Sequence, residues 1–263
     1  VKKRIDATEV KTYIKDQGAD LVGIAEADCF EANPRRRGPR FIMPEAKSVV
    51  VIAQRMITGS LESPSDMATS VLGMALYEEL HLLSLRLARY LEQHGYRAAI
   101  VPPYSPVEMS EDTKGFTGDV SLRHAAVGAG LGVLGRNNLL VTPEFGPRVR
   151  IGAVVSTVEL DPDVPLTENF CEDCGACISA CPVDALSEPG KTRTGRCARQ
   201  ALPYGLSKVI DYFSGKATYP KEDMAEAFLS PEFWNMYQSL QLGIQYGCHA
   251  CITACPVGQL NPQ

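Results

Sequence analysis

The sequence predicts an α/β core followed by a small cysteine-rich module. Three observations lead there. Ser48-Val49-Val50-Val51-Ile52-Ala53 is a run of mostly β-branched residues that suits a strand buried on both faces. Leu76, Leu80, Leu83, Leu87 and Leu91 recur at helical spacing. Eight of the nine cysteines fall between Cys171 and Cys255, and only Cys29 lies ahead of them.

The elements follow in order. Residues 6–17 read as a helix, with Asp6 as N-cap and Ala7, Val10, Tyr13 and Ile14 near one face. Gly18 ends it, and Leu21-Val22-Gly23-Ile24 reads as a short buried strand. Pro34-Arg35-Arg36-Arg37-Gly38-Pro39-Arg40 reads as a solvated basic loop, with contact to an anionic cofactor or partner as the competing reading. The strand at 48–53 and a helix over 72–93 follow, the helix ending at Gly95. Tyr96 to Val101 returns as a strand, 121–131 suggests a helix, and Arg148 to Ser156 another strand. Pro162, Pro165 and Thr167 mark a boundary between an N-terminal domain at 1–162 and a cysteine module at 163–263. Within that module, 222–242 reads as a helical insertion in which Trp234 and Met236 are packing residues.

The 31 acidic and 26 basic side chains give a formal charge of -5, which argues against nucleic acid as a partner. No apolar run reaches the roughly 18–20 residues that span a bilayer. Val1-Lys2-Lys3-Arg4 leads into an amphipathic segment instead of a signal-peptide core. Tight Cys-x2-Cys spacings are poor for disulfides and good for metals, and thiolate ligands favour a reducing cytosol, so the expected location is cytoplasmic. Cys29, without clustered partners, reads as a buried thiol.

Cys171-x2-Cys174-x2-Cys177-x3-Cys181-Pro182 has the spacing of bacterial two-cluster ferredoxins. There, three closely spaced sulfurs reach three irons of one [4Fe–4S] cubane, while the fourth projects to the other cluster. The second group, Cys248-x2-Cys251-x3-Cys255-Pro256, is one cysteine short, and Cys197 makes up the deficit. Interchange then gives a first cluster on Cys171, Cys174, Cys177 and Cys255. The second falls on Cys181, Cys197, Cys248 and Cys251. Two structural zinc sites are a chemical alternative, against which the CxxCxxCxxxCP run weighs.

A ferredoxin needs only the cysteine module, so the N-terminal domain has a cofactor, a partner or a structural role to fill. Ala129-Gly130-Leu131-Gly132-Val133-Leu134-Gly135-Arg136-Asn137-Asn138 has closely spaced glycines, which permit tight turns and close approach. It lacks the Gly-Lys-Ser/Thr ending of a phosphate loop, and it follows a helix pattern, which weakens a dinucleotide-binding reading. Residues 124–160, including His124-Ala125-Ala126 and AGLGVLGRNNLLVTPEFGPRVRIGAVVST, together with both cysteine groups, resemble the epoxyqueuosine reductase and reductive dehalogenase superfamily. The resemblance covers most of the chain and is strongest from about 121 to 258.

That resemblance implies a modified nitroreductase-like α/β domain binding a cobalamin-type corrinoid, followed by a bacterial ferredoxin-like double-cluster module. On that basis Gly130, Gly132, Gly135, Arg136, Asn137 and Asn138 are candidate cofactor-binding residues. Tyr104, Arg123 and His124 are candidate catalytic residues, each against a structural alternative: a packing tyrosine, an ion-paired arginine, a satisfied helix histidine. Implied partners are a low-potential electron donor and either a corrinoid protein or a small-molecule substrate. The sequence also departs from the family. Where epoxyqueuosine reductases usually present an acid just before the arginine upstream of AGLG, this chain has Leu122, which cannot donate a proton. Their tyrosine-histidine segment is not apparent at Met74-Ala75-Leu76-Tyr77, and the chain is short against both branches. A corrinoid-dependent iron–sulfur oxidoreductase leads, with a non-catalytic electron-transfer or corrinoid-activation protein as the alternative.

Overall fold

A computed structural model describes residues 3–28, 38–104, 118–171, 174–187, 191–202, 212, 214, 230, 233 and 248–259. Cys29, most of the basic loop, and the proposed insertion at 222–242 apart from Ser230 and Phe233 lie outside the described residues.

Helix α1, Ala7–Asp16, starts at Asp6, whose side chain accepts from the Glu9 backbone N–H while the Glu9 carboxylate accepts from that of Asp6. This reciprocal cap satisfies two donors that a helix start otherwise leaves open. Strand β1, Leu21–Glu26, follows Gly18 at φ 108. A short helix α2, Pro39–Ile42, precedes β2, Ser48–Arg55, and α3, Thr58–Leu61, precedes the long α4, Asp66–Gln93. The leucine pattern reads this helix six residues short, because its first turns, DMATSV, carry no leucine and start from Ser65, whose hydroxyl accepts from the Ala68 N–H at 3.4 Å. Strand β3, Ala98–Val101, helix α5, Leu122–Gly128, a hairpin of β4, Val133–Leu134, with β5, Leu140–Val141, and strand β6, Val149–Ser156, complete this half. In the cysteine module lie α6, Ala176–Ser179, α7, Thr194–Ala201, and α8, Ala250–Thr253.

The main sheet has the order β1-β2-β6-β3, and every pairing is antiparallel. Its register shows why the β-branched run is central. Ile24, Val50, Val154 and Ile100 line up in one row and pack with α1 and α4. Ala25, Val49, Val155 and Ala99 form the next row and pack on the opposite face with α5. Successive strand side chains point to opposite faces, so an unbroken apolar run suits a sheet covered on both sides. Leu80, Leu83, Leu87 and Leu91 are fully buried against the first face, each such burial worth about 1.5–3 kcal/mol.

Leu76, the first of the leucine series, points elsewhere. It joins Met56, Leu61, Leu72 and Ile252 in a separate cluster, with Leu139 and Cys251 packed against it. Helix α4 therefore builds the sheet core with its later turns and holds the cysteine module with its earlier ones. The connection at 163 is tied down too: Asp163 accepts from the Ile24 N–H at 2.8 Å, donates its own N–H to Ile24 O at 2.9 Å, and pairs with Lys11.

Candidate functional site

The eight clustered thiols fall into two neighbourhoods. Cys171, Cys174, Cys177 and Cys255 line one cavity of about 330 Å³, together with Arg136, Asn137 and Val257. Burial pushes the Cys177 thiol pKa up, and the charges of Cys171, Cys255 and Cys174 push it further. In the second neighbourhood, burial raises Cys197, followed by the effects of Cys248 and Cys181. Cys251 is pushed up to about 12, first by burial and then by Cys197, Cys248, Cys177 and Cys181. Cys251 thus feels both groups.

Local geometry explains the sorting. Gly175 at φ 74 starts α6, which carries Cys177 and leaves Cys181 one turn beyond. The Cys181 sulfur accepts from the Ala185 N–H at 3.2 Å. Helix α8 packs against α6 and repeats the arrangement with Cys251 and Cys255. The repeat is visible in the residues: Ala176-Cys177-Ile178-Ser179-Ala180-Cys181-Pro182-Val183 against Ala250-Cys251-Ile252-Thr253-Ala254-Cys255-Pro256-Val257. Each copy sends its last cysteine to the neighbourhood of the other copy's helix.

Among the described residues, no three His, Cys, Asp or Glu side chains form a cage for a single metal ion. A four-thiol donor set around a cavity fits a four-iron cluster, which takes one thiolate per iron and spreads the sulfurs more widely than one ion does.

The glycine-rich segment turns out to be the β4–β5 hairpin. Its glycines meet the chain's own atoms: a Cβ on Gly130, at φ +67, would lie 2.6 Å from Val164 O, one on Gly132 2.3 Å from Val141 O, and one on Gly135 2.7 Å from a Val141 methyl. The hairpin tip, Arg136-Asn137-Asn138, faces the first thiol group. The Arg136 N–H donates to the Cys171 sulfur at 3.4 Å, and Asn137, 5% exposed, accepts from the Leu139 N–H at 3.2 Å. Asn138 takes the left-handed φ of 60 that closes the turn, and its amide donates to Thr192 Oγ1 at 3.4 Å.

A second, smaller cavity of about 140 Å³ is lined by Tyr77, Leu122, Arg123, Leu139, Arg150 and neighbours, and by neither Tyr104 nor His124. Arg123 lines it and donates to Asn138 O. Tyr104 packs at a tilt of 46° against Tyr77, with 4.5 Å between ring centres, and meets His81 edge-on at 5.8 Å. His124 is exposed, with Nδ1 2.7 Å from Ser121 Oγ at the start of α5.

Three residues to which the sequence assigns no site role tie these parts together. Arg150 lines the small cavity, lies 5.8 Å over the Tyr77 ring, and brings Nη2 within 3.5 Å of His249 Nε2. His249, 6% exposed beside Cys248, has its pKa pulled down to about 4 by burial and then by Arg150. Arg148 reaches from the start of β6 to the backbone around Cys255. The TPEFGPR stretch and the second CxxxCP were both visible in the sequence, but not that they touch.

A mixed α/β sheet domain joined to a ferredoxin-type cysteine module defines the class. Residues 164–187 match the family model of the 4Fe-4S binding domain. Homology supports a narrower placement, in the epoxyqueuosine reductase / reductive dehalogenase superfamily. The chain is 26% identical to the epoxyqueuosine reductase of Bacillus subtilis (strain 168) over 95% of its own length and 63% of the relative's. It is 28% identical to that of Gloeobacter violaceus over 95% of this chain and 75% of that one. A tetrachloroethene reductive dehalogenase of Desulfitobacterium hafniense is 35% identical over 60% of this chain and 27% of its own. The chain spans 63% of the first of these relatives and 27% of the dehalogenase.

A crystal structure of epoxyqueuosine reductase with a tRNA-Tyr epoxyqueuosine-modified stem loop matches with a TM-score of 0.61 and 26% identity, covering 95% of this chain and 64% of that one. It corrects the expectation that net charge argues against a nucleic-acid partner, because in that relative the fold is captured with RNA. A formal charge averages over the whole surface and does not describe the patch a ligand meets. Among the described residues, no helix is long and apolar enough to cross a membrane.

Proposed function

We propose that this chain is an iron–sulfur oxidoreductase holding two [4Fe–4S] clusters and passing low-potential electrons to a ligand at the cavity beside Leu122. Cys171, Cys174, Cys177 and Cys255 would hold the first cluster, and Cys181, Cys197, Cys248 and Cys251 the second. When bound, such clusters supply one-electron transfer at potentials set by charge, hydrogen bonds and solvent exposure. The observation that carries the reading is the sorting of the eight thiols into two neighbourhoods of four.

The chain's own residues give the path a direction. Cys251 packs beside Leu76 and Leu139, and Leu139 lines the small cavity. Arg150 spans from that cavity to His249 beside Cys248. The second thiol group is therefore the one that adjoins the cavity, and the first is the entry point. Arg123 and Arg150 line the cavity, and Tyr77 forms its aromatic side with Tyr104 packed against that ring.

The corrinoid of the superfamily enters through homology alone. Ligand pockets commonly measure about 300–1,000 Å³, and the described residues here enclose about 140 Å³. The described residues alone do not define a corrinoid pocket there, and no step is assigned to one. Leu122 in the cavity wall favours a second reading, electron delivery or corrinoid activation without substrate turnover, because leucine supplies no proton to a leaving group.

The test is equilibrium dialysis of anaerobic, cluster-loaded protein against several corrinoids and against a tRNA stem loop, followed by stopped-flow reduction. Saturable corrinoid binding with cobalt reduction supports the oxidoreductase. Binding and reduction without turnover of any supplied substrate support the activation reading. No saturable corrinoid binding rejects the corrinoid as the acceptor.

A further inference from the structure

We infer that Arg148 is the positioning and charge-balancing residue of the first thiol group, acting on it across the junction between the α/β domain and the cysteine module. The inference rests on the two-cluster reading above and adds an asymmetry between the clusters.

Arg148 is only 5% exposed. Nη1 donates to Val257 O at 2.9 Å, and Nη2 donates to Thr253 O at 3.2 Å and Cys255 O at 2.7 Å. Those carbonyls lie at the end of α8 and along the Cys255-Pro256-Val257 turn, so one planar fork fixes the backbone on both sides of the Cys255 sulfur. The fork is itself anchored. The Arg148 N–H donates to Phe145 O at 3.1 Å, and its carbonyl accepts from the Met56 N–H at 2.8 Å.

The backbones at this junction interlock. A Cβ on Gly146 would lie 2.1 Å from Val257 O, and one on Gly258 2.2 Å from Gly146 N. Both glycines have positive φ, 56 and 62. Arg148 is thus held against the Cys255 turn by backbone contact as well as by its own bonds.

All three side-chain acceptors of this guanidinium are neutral carbonyls. No carboxylate pairs with it among the described residues, and exposed Glu62 is the one acid whose charge acts on it. A buried cation bonded only to carbonyls keeps its full charge, and a buried charge is costly unless a counter-charge sits nearby. The Cys255 sulfur, whose flanking backbone the fork holds on both sides, supplies that counter-charge when it ligates a cluster. A fixed positive charge beside one cluster makes adding an electron there easier. The cluster at the other thiol group lacks this residue.

The test compares Arg148→Gln and Arg148→Lys with the parent full chain, anaerobically, by iron and sulfide content and by EPR-monitored redox titration. In Arg148→Gln the equilibrium constant for reducing the first cluster should fall about tenfold, about 59 mV for a one-electron couple. The second cluster should keep its potential. Arg148→Lys, which keeps the charge and loses the fork, should shift the first cluster by much less. Selective loss of the first cluster from either variant also supports the inference. Unchanged potentials in Arg148→Gln, equal shifts of both clusters, equal shifts in Gln and Lys, or joint loss of both clusters would overturn it. A parent protein without two clusters would instead reject the underlying functional reading.

Discussion

Residues 176–184 and 250–258 are two copies of nearly one sequence, ACISACPVD and ACITACPVG, with seven of nine positions identical. Each forms a four-residue helix, and each ends on a residue with positive φ, Asp184 at 48 and Gly258 at 62. Their surroundings differ. In the first copy, Ile178 is half-buried and Val183 O accepts one bond of 3.4 Å from the exposed Arg196. In the second, Ile252 is buried under α4, and Val257 O accepts a bond of 2.9 Å from buried Arg148, which also holds two further carbonyls. One local sequence makes the same turn twice, and the sheet domain then grips only one of them. The lesson is that the fold of the cysteine loops is local, while the difference between them is imposed from outside.

The largest expected effect concerns the interchange of the last cysteines. Cys255→Ala should remove the cluster whose other three ligands sit near the first copy, and Cys181→Ala the cluster nearer the second. Each variant should retain about four of eight irons, with the two leaving different EPR signals. Signals that track the copy in which the mutation lies, instead of crossing over, would break the comparison.

Next comes the positive-φ pair. Gly258→Asp makes the second copy match the first in sequence but drives a side chain into Gly146 and Phe145 backbone atoms 2.2–2.6 Å from the new Cβ. Overpacking and strain should cost about 3 kcal/mol or more. Asp184→Gly should stay within about 1 kcal/mol, because glycine adopts the same φ and only unfolded-chain freedom changes. Anaerobic urea denaturation of both variants measures the contrast, and similar midpoints would mean the second copy is not gripped by the sheet domain.

A smaller contrast separates the two arginines. Arg148→Gln removes a buried fork from three carbonyls and should cost about 1–3 kcal/mol. Arg196→Gln removes one long, exposed contact and should stay within about 0.5 kcal/mol. Thermal unfolding under nitrogen resolves the two, and equal losses would erase the asymmetry.

Much of this was legible in the sequence for physical reasons that can be named. The capping box at Asp6, the β-branched run of β2 and the leucine series of α4 are local patterns with one structural solution each. The tight turns at the two cysteine groups are legible as well, because short Cys spacings leave the backbone few ways to turn. Strand direction is different: apolar periodicity reports which faces are covered and says nothing of whether β2 and β6 run antiparallel. The glycines of 130–135 predict close approach, and the atoms that approach them belong to Val164 and Val141. The role of Arg148 is not legible in the sequence because its partners lie more than a hundred residues away.

The central claim is that eight thiols in two crossed sets of four each hold a four-iron cluster. The most direct measurement is quantitative iron, acid-labile sulfide and zinc per chain on anaerobically reconstituted full-length protein. The expected result is about eight irons and eight sulfides per chain, with no stoichiometric zinc. Two zinc ions per chain and no sulfide would contradict it.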